Sequence, residues 1–289
     1  MNVDGERVAL AAFVLGSLLA GGNAVGVRFS NRELDPLWGA GLRFTLAAAL
    51  LLAAMPALGL VLPRGRALTG AVLYGALNFG AAFALAYYAF VRVHAGLGQT
   101  VLALVPLVTL FLAVAQRQER FRLDALAGGV VALVGIAVLS RAPLGESVPV
   151  LSLLALLAST VCFAQAAVVV RRFPAVHPIT MNAVGMATAA VFLVAGAVIA
   201  GEAIVLPERA ATWAALAYLI AIGSIVVFGL YVFVLRYWSA SRAAYTFVLV
   251  PVVTVVLSAW LDDEPIRVAL LLGGCLVLLG VYVGALREG

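Results

Sequence analysis

The stretch LVPLVTLFLAVAQRQERF at residues 104–121 occurs a second time, in altered form, as LVPVVTVVLSAWLDDEPI at residues 249–266. A shift of 145 residues superimposes Pro106 on Pro251, and the same shift superimposes the glutamates that end each stretch. The two stretches are therefore equivalent parts of one repeated unit.

The repeat extends beyond these stretches in both directions. On the C-terminal side, the shift of 145 superimposes GGVVALVG at 128–135 on GGCLVLLG at 273–280. On the N-terminal side, a shift of 142 superimposes three more pairs, which are Ser17 with Ser159, Asn23 with Gln165, and Pro36 with Pro178. Almost the whole chain is thus one unit used twice, and we predict a first repeat over residues 1–145 and a second over residues 146–289.

The composition places both repeats in a lipid bilayer. Hydrophobic residues make up 65% of the chain and charged residues only 11%, which is too little charge for the surface of a soluble protein of this size. A helix that crosses a hydrocarbon core of about 30 Å needs about 20 mostly apolar residues. The apolar runs are too long for barrel strands and lack strict alternation, so we predict an all-α integral membrane protein. The expected spans lie near residues 8–27, 36–60, 68–90, 95–115, 124–140, 150–170, 178–200, 213–235, 240–260 and 268–286.

The number of spans sets the relative orientation of the repeats. Each repeat has five spans, which is an odd number, so the second repeat must lie upside down relative to the first. We therefore predict ten transmembrane helices, arranged as two inverted five-helix repeats around a central cavity. With ten spans both termini share one side, and that side carries eleven Arg residues against six on the other. The positive-inside rule then predicts that both termini are cytoplasmic.

The sequence lacks the residues that several other classes of protein need for their function. The Arg residues form no basic stripe with interleaved aromatic residues, which argues against nucleic-acid binding. Cys162 and Cys275 both fall inside apolar spans, and the two His residues are far apart, so we expect no metal and no cofactor. The sequence has no H-E-x-x-H, no G-x-S-x-G and no Walker A loop. An integral-membrane enzyme is therefore a less favoured alternative, and an ion channel would need charged rings or a repeated filter.

The doubled pattern resembles the drug/metabolite transporter superfamily, specifically its ten-helix EamA family. Members of that family carry two repeats, each with a proline-containing helix, a Glu just past it and a Gly-rich fifth helix, as in the stretches quoted above. Arg43, in GLRFTLAAALLL at 41–52, also matches a family position, whereas Gly185 occupies the equivalent position of the second repeat. The resemblance implies export of small metabolites, with amino acids prominent among them, across the inner membrane of a bacterium.

Polar side chains inside apolar spans are the candidates for a transport pathway, because substrate and water need polar partners at membrane depth. Aromatic residues could add a pocket for apolar side chains. The resulting candidates for substrate binding or cavity lining are Asn23, Arg43, Tyr74, Asn78, Phe79, Gln99, Phe163, Gln165 and Tyr245. Each has a plainer interpretation, as a hydrogen bond between packed helices or as a core or lipid-facing residue. Helical spacing also places Ser224, Phe228 and Tyr231 on one face.

Arg43 is the one clearly intramembrane charge in the predicted spans. As a fixed cation it could bind a substrate carboxylate, an interaction that is strongest at low dielectric. Alternatively, its side chain could snorkel to the lipid headgroups or pair with helix carbonyls. The sequence leaves both interpretations open.

Pro106 and Pro251 are predicted to lie in the middle of equivalent helices. A proline there frees the carbonyl four residues back, and it could form either a hinge or a static kink. The glycines at 128–135 and 273–280 are predicted to let the fifth helix of each repeat pack closely within the scaffold.

The positions of the acidic residues bear on what drives transport. All 13 lie in loops or near span ends, so no carboxylate is expected at the middle of the membrane to bind a proton or sodium. We therefore predict facilitated diffusion by alternating access, with proton-coupled drug/metabolite export as the alternative. The predicted partners are a small-molecule substrate, such as an amino acid or related metabolite, and the lipid bilayer. The sequence does not distinguish a monomer from a homodimer.

Overall fold

The computed structural model describes residues 3–93, 101–140, 149–261 and 268–286, and these residues form helices and their connections without a β-strand. The helices of the N-terminal half are α1 (Val3–Ala20), α2 (Asn23–Ser30), α3 (Pro36–Ala57), α4 (Arg66–Gly75), α5 (Ala82–Phe90), α6 (Val105–Ala115) and α7 (Leu123–Ser140). Those of the C-terminal half are α8 (Val150–Arg172), α9 (Pro178–Ala200), α10 (Ala210–Ile220), α11 (Val227–Tyr237), α12 (Ala240–Ala243), α13 (Thr246–Leu261) and α14 (Val268–Val281).

Five helical segments within the described residues are long and apolar enough to cross a membrane. They are Pro36–Ala57, Arg66–Phe90, Val150–Arg172, Pro178–Ala200 and Ala210–Tyr237. All five coincide with predicted spans. Shorter apolar helices, such as Val105–Ala115, occupy parts of other predicted spans.

Two of the long segments contain a turn of π-helix. Ala76–Ala81 joins α4 to α5, and Ala221–Val226 joins α10 to α11. The two π segments are separated by 145 residues, which is the shift of the sequence repeat. A π turn disturbs the regular hydrogen-bond ladder of a helix and is common at functional sites. A third π segment, Tyr282–Leu286, follows α14.

The first predicted span, 8–27, is not one continuous helix. It ends at Ala20 and restarts as α2 at Asn23, because Gly21 and Gly22 allow other helices to approach closely at this point. At the break, the Tyr218 hydroxyl donates a hydrogen bond to the carbonyl of Leu19.

Pro106 does not lie mid-helix as predicted. It is in the first turn of α6, where its missing N–H breaks no helical hydrogen bond, and a turn at Ala103 and Leu104 precedes it. Pro251 does lie inside its helix, α13. The role of each proline as hinge or kink stays a prediction.

Glycine contacts show that helices at equivalent places in the two halves pack antiparallel. A Cβ on Gly128 of α7 would lie 2.6 Å from the carbonyl oxygen of Gly280, and one on Gly135 would lie 2.8 Å from that of Gly273. The start of α7 therefore packs against the end of α14, and the end of α7 against the start of α14. The prediction that these two helices make close glycine contacts is confirmed.

Candidate functional site

A cavity of about 930 Å³ lies between helices of both halves. Its lining comes from α1, α2, α3, α5, α8, α11 and α13, and from residues next to α2, α5 and α6. Among the described residues, none from α7, α9 or α14 lines it. The cavity reaches the surface at the connections that contain Asn31, Arg32, Asp35 and Arg92, which we call the mouth.

Arg43 is fully buried in the wall of this cavity. Its Nε donates a hydrogen bond to Ser224 Oγ at 2.7 Å, and its Nη2 donates to the Gly223 carbonyl at 3.0 Å. Both partners belong to the second π segment. The Nη1 atom is buried without a hydrogen-bond partner. One edge of the guanidinium is thus held by the protein. The Tyr87 phenol lies close enough to interact with the guanidinium, and Nη1 is the donor that remains without a partner at hydrogen-bond distance.

Asn23 lies beside this guanidinium at the start of α2. Its Nδ2 is 3.5 Å from the same Gly223 carbonyl, and its Oδ1 is buried without a hydrogen-bond partner. Both side chains lie close to Gly223, since a Cβ there would be 2.0 Å from Asn23 Oδ1 and 3.3 Å from Arg43 Nη2. A buried cationic donor and a buried amide acceptor, both without a hydrogen-bond partner, therefore lie close together in one wall of the cavity.

Aromatic rings form most of the wall around these polar groups. Phe83 packs edge-on against Phe163, with ring centroids 5.5 Å apart, and Phe163 packs against Phe247 at 5.1 Å. Phe83 also lies 5.3 Å from the Arg43 guanidinium, an arrangement that favours a buried cation. Phe228 and Tyr231 of α11 complete this apolar lining.

The mouth is framed by a clasp between two connections from different halves, residues 31–35 and 201–209. Glu202 accepts hydrogen bonds from the backbone N–H groups of Leu37 and Trp38, which caps the first turn of α3. Asp35 in turn accepts from the backbone N–H of Ala203. Glu33 lies in the same clasp, and a hydrogen bond from the side chain of Thr212 holds its pKa below the ordinary value.

Beyond the cavity, on the side away from the mouth, charged and aromatic side chains hold the ends of α1, α8 and α11 together, and we call this region the closed end. Arg242 forms an ion pair with Glu6 at 2.6 Å and lies 4.0 Å above the ring of Trp238. The Trp238 ring packs against Phe13 at 5.1 Å. Arg171, at the end of α8, donates to the carbonyl oxygens of Leu235 and Trp238. These contacts join α1, α8 and α11 across the path from the cavity.

The predicted candidates fall into groups. Asn23, Arg43 and Phe163 line the cavity. Phe79 is fully buried behind the cavity wall, with its ring against Phe228 at 4.7 Å, and Tyr74 packs on its far side at 5.4 Å.

The remaining candidates lie away from the cavity lining or outside the described residues. Asn78 is buried in the first π segment, and its Nδ2 has no hydrogen-bond partner. Gln165 accepts a hydrogen bond from Gln116, and the Tyr245 hydroxyl donates to the carbonyl of Ala125, which matches the plainer interpretation of helix-to-helix hydrogen bonds. Gln99 lies outside the described residues. The part that each candidate plays in binding stays a prediction.

Sequence reasoning missed several residues of the cavity wall. Tyr87 lies one turn after Phe83 on the same helix face, a spacing that could have identified it. Phe247 and Thr246 come from α13, close to Pro251. The Gly223 carbonyl had no signal in the sequence, because its availability depends on the π segment.

Comparisons with known proteins agree with this architecture. The EamA-like transporter family matches the chain twice, over residues 7–141 and 150–285. The probable amino-acid metabolite efflux pump of Escherichia coli strain K12 is 29% identical to this chain, over 97% of this chain and 94% of its own length. The uncharacterized inner membrane transporter YedA of the same strain is 29% identical, over 82% of this chain and 78% of its own length. A protein known by its crystal structure has the same fold, with a TM-score of 0.79 over 97% of each chain at 20% identity.

The double match covers nearly the whole chain, and four of the five long apolar segments described above contribute to the wall of a cavity that contains polar groups. The chain belongs to the EamA-like transporter family and is a multi-pass membrane transporter.

Proposed function

We propose that this transporter exports amino acids, or closely related metabolites, across the bacterial inner membrane by alternating access. The observation that carries the proposal is the pair of unpaired polar atoms at the cavity wall. An α-amino acid presents a carboxylate and an ammonium group on one carbon. Arg43 Nη1 would donate to the carboxylate, and Asn23 Oδ1 would accept from the ammonium group. The efflux-pump relative, which is named for amino-acid metabolites, supports the same substrate class.

The aromatic lining favours particular amino acids. Phe83, Phe163, Phe228 and Phe247 give the cavity an apolar surface, which gains free energy when it covers an apolar side chain. A charged side chain would lose its hydration there without a partner of opposite charge. We therefore expect L-phenylalanine and L-leucine to be better substrates than L-lysine or L-aspartate.

Two inverted repeats would allow the cavity to open alternately to the two sides of the membrane. Support comes from two antiparallel helix pairs. In one, α7 packs against α14. In the other, Gly41 of α3 packs against Val194 of α9, and Gly196 of α9 packs against Leu37. Each pair joins equivalent spans of the two predicted repeats, and equivalent spans that run in opposite directions are what inversion requires.

The charges around the cavity favour facilitated diffusion. Asp35 is the one acidic side chain among the described lining residues, and it lies exposed at the mouth. A proton-coupled carrier would need a titratable group deep in the path. Among the described residues, none that lines the cavity below the mouth is a carboxylate or a histidine. Proton-coupled drug/metabolite export is the alternative, and an integral-membrane enzyme is a weaker one.

The Arg distribution supports cytoplasmic termini, and the cavity would then open to the outside in this structure. The connections at the mouth belong to the side with six Arg residues, against eleven on the other side. A cysteine that replaces Asn31 at the mouth should therefore react with an impermeant maleimide added to intact cells.

The direct test is uptake of radiolabelled amino acids into liposomes that contain only this protein. Without an ion gradient, we expect saturable uptake of L-phenylalanine and L-leucine, accelerated by the same amino acid inside the liposome. Uptake that needs an imposed proton or sodium gradient would contradict facilitated diffusion and favour the coupled alternative. No uptake of any amino acid under either condition would contradict the proposed substrate class.

A further inference from the structure

Three buried side chains between the cavity and the closed end have polar atoms without partners. The hydroxyl groups of Tyr74 and Tyr231 have no hydrogen-bond partner, and neither does either polar atom of the Asn182 amide. The side chains of Tyr74 and Asn182 are fully buried, and Tyr231 is 6% exposed. Buried polar atoms in native proteins nearly always have partners, so several unpaired ones in one region point to a ligand or to water that binds there.

Contacts bring these residues together. Tyr231 lines the deep part of the cavity, and its phenol group is close enough to that of Tyr74 to interact with it electrostatically. The Cβ position of Gly185, on α9, lies 3.3 Å from Cδ1 of Tyr74. Asn182 is three residues before Gly185 and therefore lies on the same helix face. Tyr74 and Tyr231 are thus neighbours, and Asn182 lies one turn of α9 away from the point where α9 contacts Tyr74.

This place lies on the route from the cavity to the closed end. Asn182 is in the second turn of α9, which starts just after α8 ends at the Arg171 contacts of the closed end. The rings of Phe79 and Phe228 lie between the cavity and Tyr74. A substrate that leaves the cavity away from the mouth would have to pass these rings, and the polar groups are the next ones it would meet.

We propose that Tyr74, Asn182 and Tyr231 form a second substrate-binding station, which holds the ammonium and carboxylate groups of the amino acid when the closed end opens. The proposal rests on the proposed function. The Asn182 amide and the two hydroxyl groups can each donate and accept, so together they match a zwitterion without needing a charged residue. In the present state Phe79 and Phe228 separate Tyr74 from the cavity, Tyr231 borders the cavity, and the polar atoms named above have no hydrogen-bond partner.

Cysteine labelling tests the station. In a background with Cys162→Ala and Cys275→Ala, Asn182→Cys is labelled with a charged, impermeant maleimide in right-side-out and inside-out vesicles. We expect reaction only from the face opposite to the one that labels Asn31→Cys. L-Phenylalanine should slow that reaction in a saturable way, because an amino acid bound at the station covers the cysteine. The concentration needed should be higher than in the parent, because the substitution removes one of the three binding groups.

A matched control is Ser152→Cys. Ser152 is also fully buried and its hydroxyl also lacks a partner, but it lies near the start of α8 and does not line the cavity. It should stay unreactive from both faces. If Asn182→Cys is unreactive from both faces, or reacts without protection by L-phenylalanine, in a protein that transports L-phenylalanine, the station is wrong. A wild-type protein that transports none of the amino acids would instead contradict the proposed function.

Tyr74→Phe gives a second, milder variant, since it removes one oxygen and keeps the ring. We expect exchange of L-phenylalanine across the membrane to slow about tenfold. The concentration of L-phenylalanine that halves the labelling rate of Asn31→Cys at the mouth should be unchanged. Unchanged exchange would contradict a role for Tyr74 in the station. If exchange and the protection of Asn31→Cys by L-phenylalanine are weakened equally, Tyr74 acts on binding in the outer cavity and not at the station.

Discussion

At the scale of single residues, the main feature is a buried Arg that is only partly paired. A guanidinium inside a membrane protein is costly unless hydrogen bonds and nearby dipoles stabilise it. Ser224, the Gly223 carbonyl and the rings of Phe44 and Phe83 do this for Arg43. The Tyr87 phenol also lies close to the guanidinium, and Nη1 has no partner at hydrogen-bond distance. Arg43 is therefore held in place by the protein and keeps one donor unpaired at the cavity wall.

We expect Arg43→Gln to raise the KM for L-phenylalanine about 10- to 100-fold, since a hydrogen bond to a charged group contributes about 1.5–3 kcal/mol. Arg43→Lys should recover only part of this, because an ammonium cannot donate to Ser224 and a carboxylate in the same fork geometry. Liposome uptake kinetics measure both effects. Thr45→Val is the matched control, since the Thr45 hydroxyl bonds only within its own helix, to the Gly41 carbonyl.

A substrate analogue separates binding from folding in this prediction. Phenethylamine lacks the carboxylate, so wild-type protein should discriminate strongly between it and L-phenylalanine, and Arg43→Gln should not. Discrimination that survives in Arg43→Gln would show that another group binds the carboxylate.

At the scale of helices, glycine residues and π segments determine how closely the spans pack and which groups they bring together. The second π segment places the Gly223 carbonyl and Ser224 beside Arg43, which a regular helix would not do with the same register. The α7–α14 pair depends on glycine, because backbone atoms of one helix occupy the space that a Cβ of the other would need. The fifth helix of each half thus supports the structure without lining the cavity at any described residue.

We expect Gly128→Ala to destabilise the protein by about 1–3 kcal/mol, the usual cost of overpacking. The new Cβ would meet the backbone of Gly280 and Gly284 at 2.5–2.6 Å, and backbone atoms cannot rotate away. Unfolding in detergent, followed by circular dichroism, measures the loss. Gly229→Ala in α11 is the control, since nothing lies within 4 Å of its Cβ position, and it should be neutral or slightly stabilising. Equal effects of the two changes would argue against close packing of α7 on α14.

At the scale of the whole molecule, the two ends of the cavity differ. At the mouth, carboxylates accept hydrogen bonds from backbone N–H groups, whereas at the closed end the Glu6–Arg242 pair and its aromatic neighbours join the helices. For a carrier that alternates, contacts made in only one state set the balance between states. The closed-end contacts should therefore stabilise the state seen here.

Breaking the Glu6–Arg242 pair should shift this balance. A partly exposed ion pair contributes about 1 kcal/mol, so Arg242→Gln should raise the population of the state with the closed end open about fivefold. The readout is maleimide labelling of Asn182→Cys from the face opposite the mouth, in the background without native cysteines. The charge-reversed double variant Glu6→Arg, Arg242→Glu should return labelling towards the level of the parent. Labelling that does not change in Arg242→Gln would contradict a gating role.

The membrane class, the doubled unit, the positions of the long spans and the proline and glycine motifs of the family could all be predicted from the sequence. These follow from local composition and from a repeat at constant spacing, which need no knowledge of packing. The sequence also singled out Asn23, Arg43 and Phe163, because polar and aromatic side chains inside apolar spans are visible in the sequence.

Which candidates share the cavity, and which hydrogen bonds each one makes, depends on the three-dimensional packing of the helices. Arg43 meets Ser224 across 181 residues of sequence, and Asn23 meets Gly223 across 200. Such contacts depend on how helices cross, on the break after Ala20 and on the π segments, all of which result from packing between distant spans. Tyr74 and Gln165 looked alike as intramembrane polar residues, yet one is sealed and unpaired while the other is paired with Gln116. Helix periodicity gives the face of one helix, and the neighbour against that face is set by the fold.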